Sequence, residues 1–137
     1  MTKVVINICY GGFGLSEAAM RLYAEKKGLP FFEHNPYKSD MFKQYFTADP
    51  SGMVKIDEYG LSRIDNDFYR KYALYDKDFD RTDPVLVEVV EELGEKANGF
   101  AAELEVIDVP KGTMYRIDEY DGLESIETAD NIDWKVA

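Results

Sequence analysis

Three glycines and a serine near the start of the chain are of the residue types that can bind a phosphate group. A glycine-rich turn between a strand and a helix can aim backbone N–H groups at an anion, and the helix dipole adds to the attraction. The segment lacks the spacing of a dinucleotide fingerprint, so a tight turn with its phenylalanine in the core is the alternative interpretation. The candidate ligand-binding residues of this segment are Gly11, Gly12, Phe13, Gly14 and Ser16.

A positively charged side chain, that of Arg81, lies at the start of a second predicted helix. Arg81 and Thr82 precede Asp83 and Pro84, and an arginine beside free helix N–H groups could form a second anion subsite. If the two helix starts adjoin, Arg81 and the glycine-rich segment could together hold a nucleotide-like ligand. Asp83 argues against this arrangement, because its carboxylate can occupy the same helix end. The alternative is a helix cap in which Arg81 pairs with a local carboxylate.

Aromatic side chains are concentrated in the middle of the chain. Residues 31–80 hold 12 of the 19 aromatics. They indicate a core layer, and the alternative is a cage that stacks a base or another ligand ring. The stacking alternative gains support only if the glycine-rich segment and Arg81 border the same pocket.

Nucleophile chemistry has little support in the sequence. His34 and Cys9 are the only histidine and the only cysteine, which excludes a zinc site built from several of these residues. One cysteine and one histidine would be enough in number for a Cys-His nucleophile pair. However, a lone cysteine in an apolar strand is usually a core residue. The chain also lacks the G-x-S-x-G elbow of serine hydrolases.

Three alternating aspartates, Asp76, Asp78 and Asp80, resemble the start of a calcium-binding loop. Such a loop needs glycine at its sixth position and glutamate at its twelfth. This chain has Arg81 and Val87 at those positions. This mismatch excludes an EF-hand, and we interpret the aspartates as part of a solvated acidic loop, with a looser divalent-metal site as the alternative. We predict no metal site and no cofactor.

The net charge of -11 is concentrated in the second part of the chain. Residues 1–80 carry 11 Lys and Arg against 12 Asp and Glu, whereas residues 81–137 carry 5 against 15. Such a chain repels nucleic acid and anionic membranes at long range, so we predict a basic protein as the charged partner. The alternative is that the acidic surface only keeps the protein soluble. The candidate partner-binding residues are Glu88, Glu91, Glu92 and Glu95.

The length of 137 residues predicts a single domain covering residues 1–137. The first residues lack the pattern of a signal peptide, and no apolar run is long enough to cross a membrane. A single cysteine fits a reducing compartment. These features together predict a cytoplasmic protein.

Hydrophobic periodicity predicts an α+β fold. The fold is expected to have a small, mostly antiparallel sheet, in which the N-terminal strand lies with a C-terminal meander, and two main helices on one face. Asp121-Gly122 is a strong signal for a two-residue hairpin turn. The predicted helices cover residues 16–27, 65–74 and 83–97, and the predicted strands cover residues 3–9, 103–109, 114–120 and 123–127.

Three segments, in this order, resemble a family of small uncharacterised acidic proteins. They are Gly11-Gly12-Phe13-Gly14-Leu15-Ser16, Arg81-Thr82-Asp83-Pro84 with the following Leu86 to Gly94, and Tyr115-Arg116-Ile117-Asp118-Glu119-Tyr120-Asp121-Gly122. The family is scattered through bacteriophages, large DNA viruses and some bacteria, and the resemblance covers the first 30 residues and roughly residues 80–127. It implies a phage or mobile-element setting, in which small proteins often bind a host factor, and it supplies no catalytic residue.

The leading functional hypothesis is a small acidic binding or inhibitory module that acts on a host factor in the host cytoplasm. The sequence contains no complete catalytic constellation, which argues against an enzyme. One alternative is a binder of a nucleotide or cyclic nucleotide, or an enzyme acting on one, that uses the glycine-rich turn and Arg81. A second alternative is a mimic of nucleic acid that uses the acidic residues of 81–137.

Overall fold

The computed structural model describes residues 1–35 and 43–129 and confirms the α+β class. The described residues contain three α-helices: α1 (Glu17–Lys26), α2 (Asn66–Tyr72) and α3 (Pro84–Leu93). The strands are β1 (Thr2–Asn7), β2 (Phe32–His34), β3 (Gln44–Phe46), β4 (Val54–Ile56), β5 (Ser62–Ile64), β6 (Leu104–Val109), β7 (Tyr115–Tyr120) and β8 (Leu123–Thr128). They pair antiparallel in four two-stranded ladders, β1–β6, β2–β3, β4–β5 and β7–β8.

The chain divides into two compact units. The first unit contains residues 1–19 and the described residues from 79 onwards, and the second contains the described residues of 20–78. Helix α1 crosses the boundary, with its first three residues in the first unit. The expectation of one domain stays a prediction.

Strand β1 lies at the centre of the first unit because its sequence is apolar on both faces. Val4 and Val5 are fully buried, and β1 pairs with β6 from Thr2 opposite Val109 to Asn7 opposite Leu104. On one face, three buried side chains form a hydrophobic cluster with four partly buried ones. These residues are Val4, Ile6 and Val109, with Ile8, Ile107, Ile117 and Ile126 packed against them.

The strand pairing differs in one respect from the predicted meander. Strand β7 pairs with β8 across the Asp121-Gly122 turn, and β6 pairs with β1, so β6 and β7 are not neighbours in one ladder. Ile117 and Ile126 instead bring the β7–β8 ribbon onto the apolar face that Val4 and Ile6 present. Packing the ribbon against this face removes the apolar side chains of both from water.

Helix α3 covers β1 and β6. It begins where the sequence predicts, because the Asp83 carboxylate accepts a 2.9 Å hydrogen bond from the Val85 N–H and Pro84 needs no N–H partner in the first turn. It ends at Leu93 rather than near residue 97, because Gly94 has a φ of 58° that ends the regular helix. Its buried side chains are Leu86, Val87, Val89 and Val90.

In the second unit, aromatic side chains pack on one another. Phe46 is fully buried, and its ring centroid lies 5.7 Å from that of Phe68 and 5.9 Å from that of Tyr69. This packing favours the core-layer interpretation over a ligand cage. Tyr37 and Phe42, which belong to the same aromatic segment, lie outside the described residues.

The turn between β4 and β5 depends on one carboxylate. Asp57 accepts 2.9 Å hydrogen bonds from the N–H groups of Tyr59 and Leu61 and a 2.8 Å bond from Arg63 Nε. The bond from the Leu61 N–H is the main cause that holds the pKa of Asp57 below its ordinary value of 3.8. The charged form of Asp57 is therefore favoured in the folded protein.

This lowered pKa predicts a pH dependence of stability. The contribution of Asp57 is fully present above the unfolded pKa near 3.8 and is lost as the pH falls through the lower folded value. We expect Asp57→Asn to destabilise the protein at pH 7, and we expect the difference from the native protein to shrink towards pH 2. Urea denaturation at both pH values measures it. Glu58→Gln, which removes a carboxylate from the same turn, is the control, and an Asp57→Asn difference that stays constant with pH would contradict the assignment.

Candidate functional site

A buried asparagine at the end of β1 holds three loops together. Asn7 is 0% exposed, and its Nδ2 donates to the carbonyl oxygens of Cys9 at 2.8 Å and Gly122 at 2.7 Å. Its Oδ1 accepts from the Glu103 N–H at 2.8 Å and lies 3.3 Å from Cys9 Sγ, a weak donor. Residues 9–12, 99–103 and 120–123, which we call the three loops, are therefore fixed to one side chain.

Glycines allow the main chains of the three loops to approach one another. A Cβ atom on Gly11 would lie 1.7 Å from the carbonyl oxygen of Ala101, which is inside van der Waals contact. A Cβ atom on Gly122 would lie 2.6 Å from the Gly12 nitrogen, and Gly122 also has a φ of 90°. The glycine-rich segment therefore serves close packing here.

The second part of the glycine-rich segment packs in the same way. The Gly99 N–H donates to the Gly14 carbonyl at 2.9 Å, and a Cβ atom on Gly99 would lie 2.6 Å from the Gly14 carbonyl carbon. Ser16 acts as the predicted N-cap of α1, since its Oγ accepts from the Ala19 N–H at 3.1 Å. The same hydroxyl donates to the Lys96 carbonyl at 2.6 Å.

Arg81, which is partly buried, forms an ion pair with the buried Glu124. The two guanidinium nitrogens lie 2.6 and 2.8 Å from the two carboxylate oxygens, a bidentate arrangement. The Arg81 side chain is 17% exposed and that of Glu124 is 8% exposed. The guanidinium carbon also lies 3.5 Å from the centroid of the Phe13 ring, which is a cation–π contact.

This ion pair closes the edge of β1 that faces away from β6. The Val5 N–H donates to the Arg81 carbonyl at 2.9 Å, and the Val5 carbonyl accepts from the Arg81 guanidinium at 3.2 Å. The Asn7 N–H donates to a Glu124 carboxylate oxygen at 2.9 Å. Main-chain groups that a neighbouring strand would otherwise satisfy are thus bonded by two residues from outside the ladder.

The predicted phosphate-binding residues are brought together only in part. Phe13 and Arg81 are in contact, but the Arg81 guanidinium is engaged by Glu124. Thr82 lies with Asp80, whose carboxylate accepts from the Thr82 N–H at 3.0 Å and from its hydroxyl at 2.8 Å. The arrangement uses these donors within the protein and favours a structural role for them.

The remaining chemical candidates lie in different surroundings. Cys9 lies beside the Asn7 side chain, and its thiol also approaches the Ala101 carbonyl at 3.1 Å. His34 lies in the second unit with its Nε2 3.4 Å from the Ser62 hydroxyl. Within residues 1–35 and 43–129, no group of three or more His, Cys, Asp or Glu side chains is arranged to hold a metal ion.

Three of the predicted partner-binding carboxylates lie on the exposed side of α3, and the fourth, Glu95, is exposed in the turn that follows the helix. Glu91 forms a 3.0 Å ion pair with Lys3, in which both side chains remain nearly half exposed. The hydrogen bond to Glu91 is the main cause that raises the pKa of Lys3 above its ordinary value of 10.5. The exposed carboxylates, which we call the acidic face, are Glu88, Glu91, Glu92 and Glu95.

Each of the three loops also exposes an aromatic side chain. Tyr10 is 63% exposed, Phe100 is 83% exposed, and Tyr120, where β7 enters the third loop, is 75% exposed. We call these three residues the aromatic tips. Sequence reasoning did not single them out, because an isolated exposed aromatic has no periodicity that marks it.

Sequence reasoning also missed Asn7 and Glu124, although each carries a signal. Asn7 interrupts an apolar run, and Glu124 alternates onto the same face of β8 as Ile126. A polar residue at an inward-facing position needs a buried partner. That rule identifies both residues as members of a polar network.

Comparison with known proteins gave no match to a protein-family model, to a curated protein or to a solved structure. Among the residues that the structure describes, no helix is both long enough and apolar enough to cross a lipid bilayer. Arguments about function therefore depend on the chemistry of the residues themselves.

Proposed function

We propose that this protein is a binding module whose acidic face docks on a basic surface of another protein. The observation that carries the proposal is the division of α3 into two sides. Leu86, Val87, Val89 and Val90 are buried, whereas the carboxylates of Glu88, Glu91 and Glu92 on the same helix are exposed. A helix fixed by its apolar side presents its charges at a constant spacing, which favours recognition of a complementary surface.

The proposed setting follows from the resemblance to small phage and viral proteins. In that setting, the basic partner is a host protein, and the module inhibits or redirects it in the host cytoplasm. A partner that normally binds nucleic acid would make the acidic face a mimic of the phosphate backbone. Competition between this protein and duplex DNA for the same partner distinguishes the mimic from other acidic ligands.

The phosphate-ligand alternative has less support. A phosphate at the glycine-rich segment would need Arg81, and the bidentate bond to Glu124 already engages that guanidinium. Calorimetric titration of the native protein with nucleotides and cyclic nucleotides tests this alternative directly. Heat of binding that saturates at one ligand per chain would restore it.

The charge of the acidic face predicts the kinetics of binding. We expect the triple substitution Glu88→Gln, Glu91→Gln and Glu92→Gln to slow association with a basic partner about tenfold at low salt, because electrostatic steering is reduced. Dissociation should change much less. The probes are peptides selected against the native protein from a displayed library of random sequences, and surface plasmon resonance measures both rates.

A control with the same loss of charge separates the local effect from that of net charge. The variant Glu25→Gln, Glu58→Gln and Asp67→Asn also removes three negative charges, all from the second unit. We expect the control to slow association less than the triple substitution on α3, which we call the α3 variant. Added salt should steeply slow the association of the native protein. Equal association by both variants and the native protein, with no dependence on salt, would contradict the proposed function.

A further inference from the structure

The three loops lie side by side, and each of them carries one aromatic tip. Gly11, next to Tyr10, packs against Ala101, next to Phe100. Gly122 packs against the Tyr10 carbonyl and the Gly12 nitrogen. These main-chain contacts place Tyr10, Phe100 and the turn that follows Tyr120 at one end of the first unit.

The loops are held in place by buried bonds. All four hydrogen-bonding positions of the Asn7 amide are used, and they reach all three loops. The third loop is further fixed by Glu124, which is bidentate to Arg81. Rigid loops that present aromatic rings lose little conformational entropy on binding, which is why such rings dominate the energy of many interfaces.

The residues that flank the aromatic tips in the chain are acidic. The three loops and Glu119, which directly precedes the third loop, contain no Lys or Arg, and they carry three exposed carboxylates. These belong to Glu103, Glu119 and Asp121. A guanidinium or ammonium group is attracted both by carboxylates and by the face of an aromatic ring.

We propose that the aromatic tips Tyr10, Phe100 and Tyr120 form a docking surface for a protein segment rich in arginine and lysine, whose cationic side chains stack on the rings. This inference rests on the proposed function, because it assumes a basic protein partner, and it names the residues that anchor that partner. The acidic face then contributes mainly to the rate of encounter, and the aromatic tips contribute mainly to the lifetime of the complex.

Substitution of the aromatic tips tests the proposal with the same selected peptides. We expect the double variant Tyr10→Ser and Phe100→Ser to weaken binding tenfold or more, through faster dissociation, and Tyr120→Ser to weaken it further. The matched controls are Tyr59→Ser and Met114→Ser, which remove similarly exposed side chains from residues that do not belong to the three loops. Thermal unfolding of each variant checks that folding is unchanged, as expected for exposed positions.

The outcomes separate the two proposals. Selected peptides rich in Arg and Lys, with dissociation faster in the tip variants than in the controls, support the docking surface. Binding by the tip variants within twofold of the native protein overturns it, and the proposed function then stands if the α3 variant still slows association. If the selected peptides contain no Arg or Lys, the basic partner that both proposals assume is contradicted. A library that yields no binder contradicts both proposals as well.

Discussion

Replacing Arg81 with methionine is expected to lower the free energy of unfolding by about 3–5 kcal/mol. The reason is that Glu124 would remain buried with its charge unpaired, since its side chain is only 8% exposed. The cation–π contact with Phe13 and the hydrogen bond to the Val5 carbonyl would be lost as well. Urea denaturation followed by circular dichroism measures the change.

An exposed ion pair on the same unit provides the control. Arg116 donates two hydrogen bonds to one carboxylate oxygen of Glu127, from Nε at 3.1 Å and from Nη2 at 2.8 Å. Its side chain is 71% exposed. We expect Arg116→Met to change stability little, because water replaces the lost partner. The double variant Arg81→Met and Glu124→Leu should lose less free energy of unfolding than the two single variants lose in sum. A cost for Arg81→Met no larger than that for Arg116→Met would show that the buried pair does not stabilise the fold.

Replacing Gly11 with alanine is expected to cost about 3 kcal/mol, at the upper end of the usual cost of overpacking. The added methyl group would overlap the main chain of Ala101, with its carbonyl oxygen 1.7 Å from the ideal Cβ position. A main chain cannot swing aside as the end of a flexible side chain can. The first two loops would therefore have to separate, which strains their bonds to Asn7.

Gly52 is the matched control for this substitution. An added Cβ atom at Gly52 meets no heavy atom within 4 Å, so Gly52→Ala should change stability by less than about 0.5 kcal/mol. Both variants can be compared by chemical denaturation under the same conditions. If Gly11→Ala proves as stable as Gly52→Ala, the close approach of the first two loops is not a feature of the folded protein.

Local signals in the sequence identified much of the secondary structure. Asp83 and Pro84 start α3 as predicted, and Asp121-Gly122 makes the hairpin turn between β7 and β8, with φ values of 50° and 90°. These features depend on residues close to one another in the chain. Capping and turn preferences act at that range, so a single sequence is enough to find them.

Strand pairing and the site could not be read in the same way. Period-two alternation shows that β6 and β7 are strands, but it does not say that β6 pairs with β1. The sequence suggested a phosphate ligand or, as the alternative, a local carboxylate as the partner of Arg81, whereas the actual partner is Glu124, 43 positions away. Distant pairing is decided by which apolar faces and buried charges fit together in space, and that information is not carried by any short segment.

The position of β1 in the chain also has a consequence for biosynthesis. The Asn7 side chain bonds to Glu103, 96 positions later in the chain, and to Gly122, 115 positions later. These bonds can form only after both residues have been synthesised. At about 5–20 residues per second, a ribosome needs roughly 5–20 s to supply β6 after β1 has been made. During that interval the nascent chain carries an apolar strand without its partner, so β1 is the segment that a chaperone would be expected to hold. The three loops can therefore assemble only after Gly122 has been synthesised.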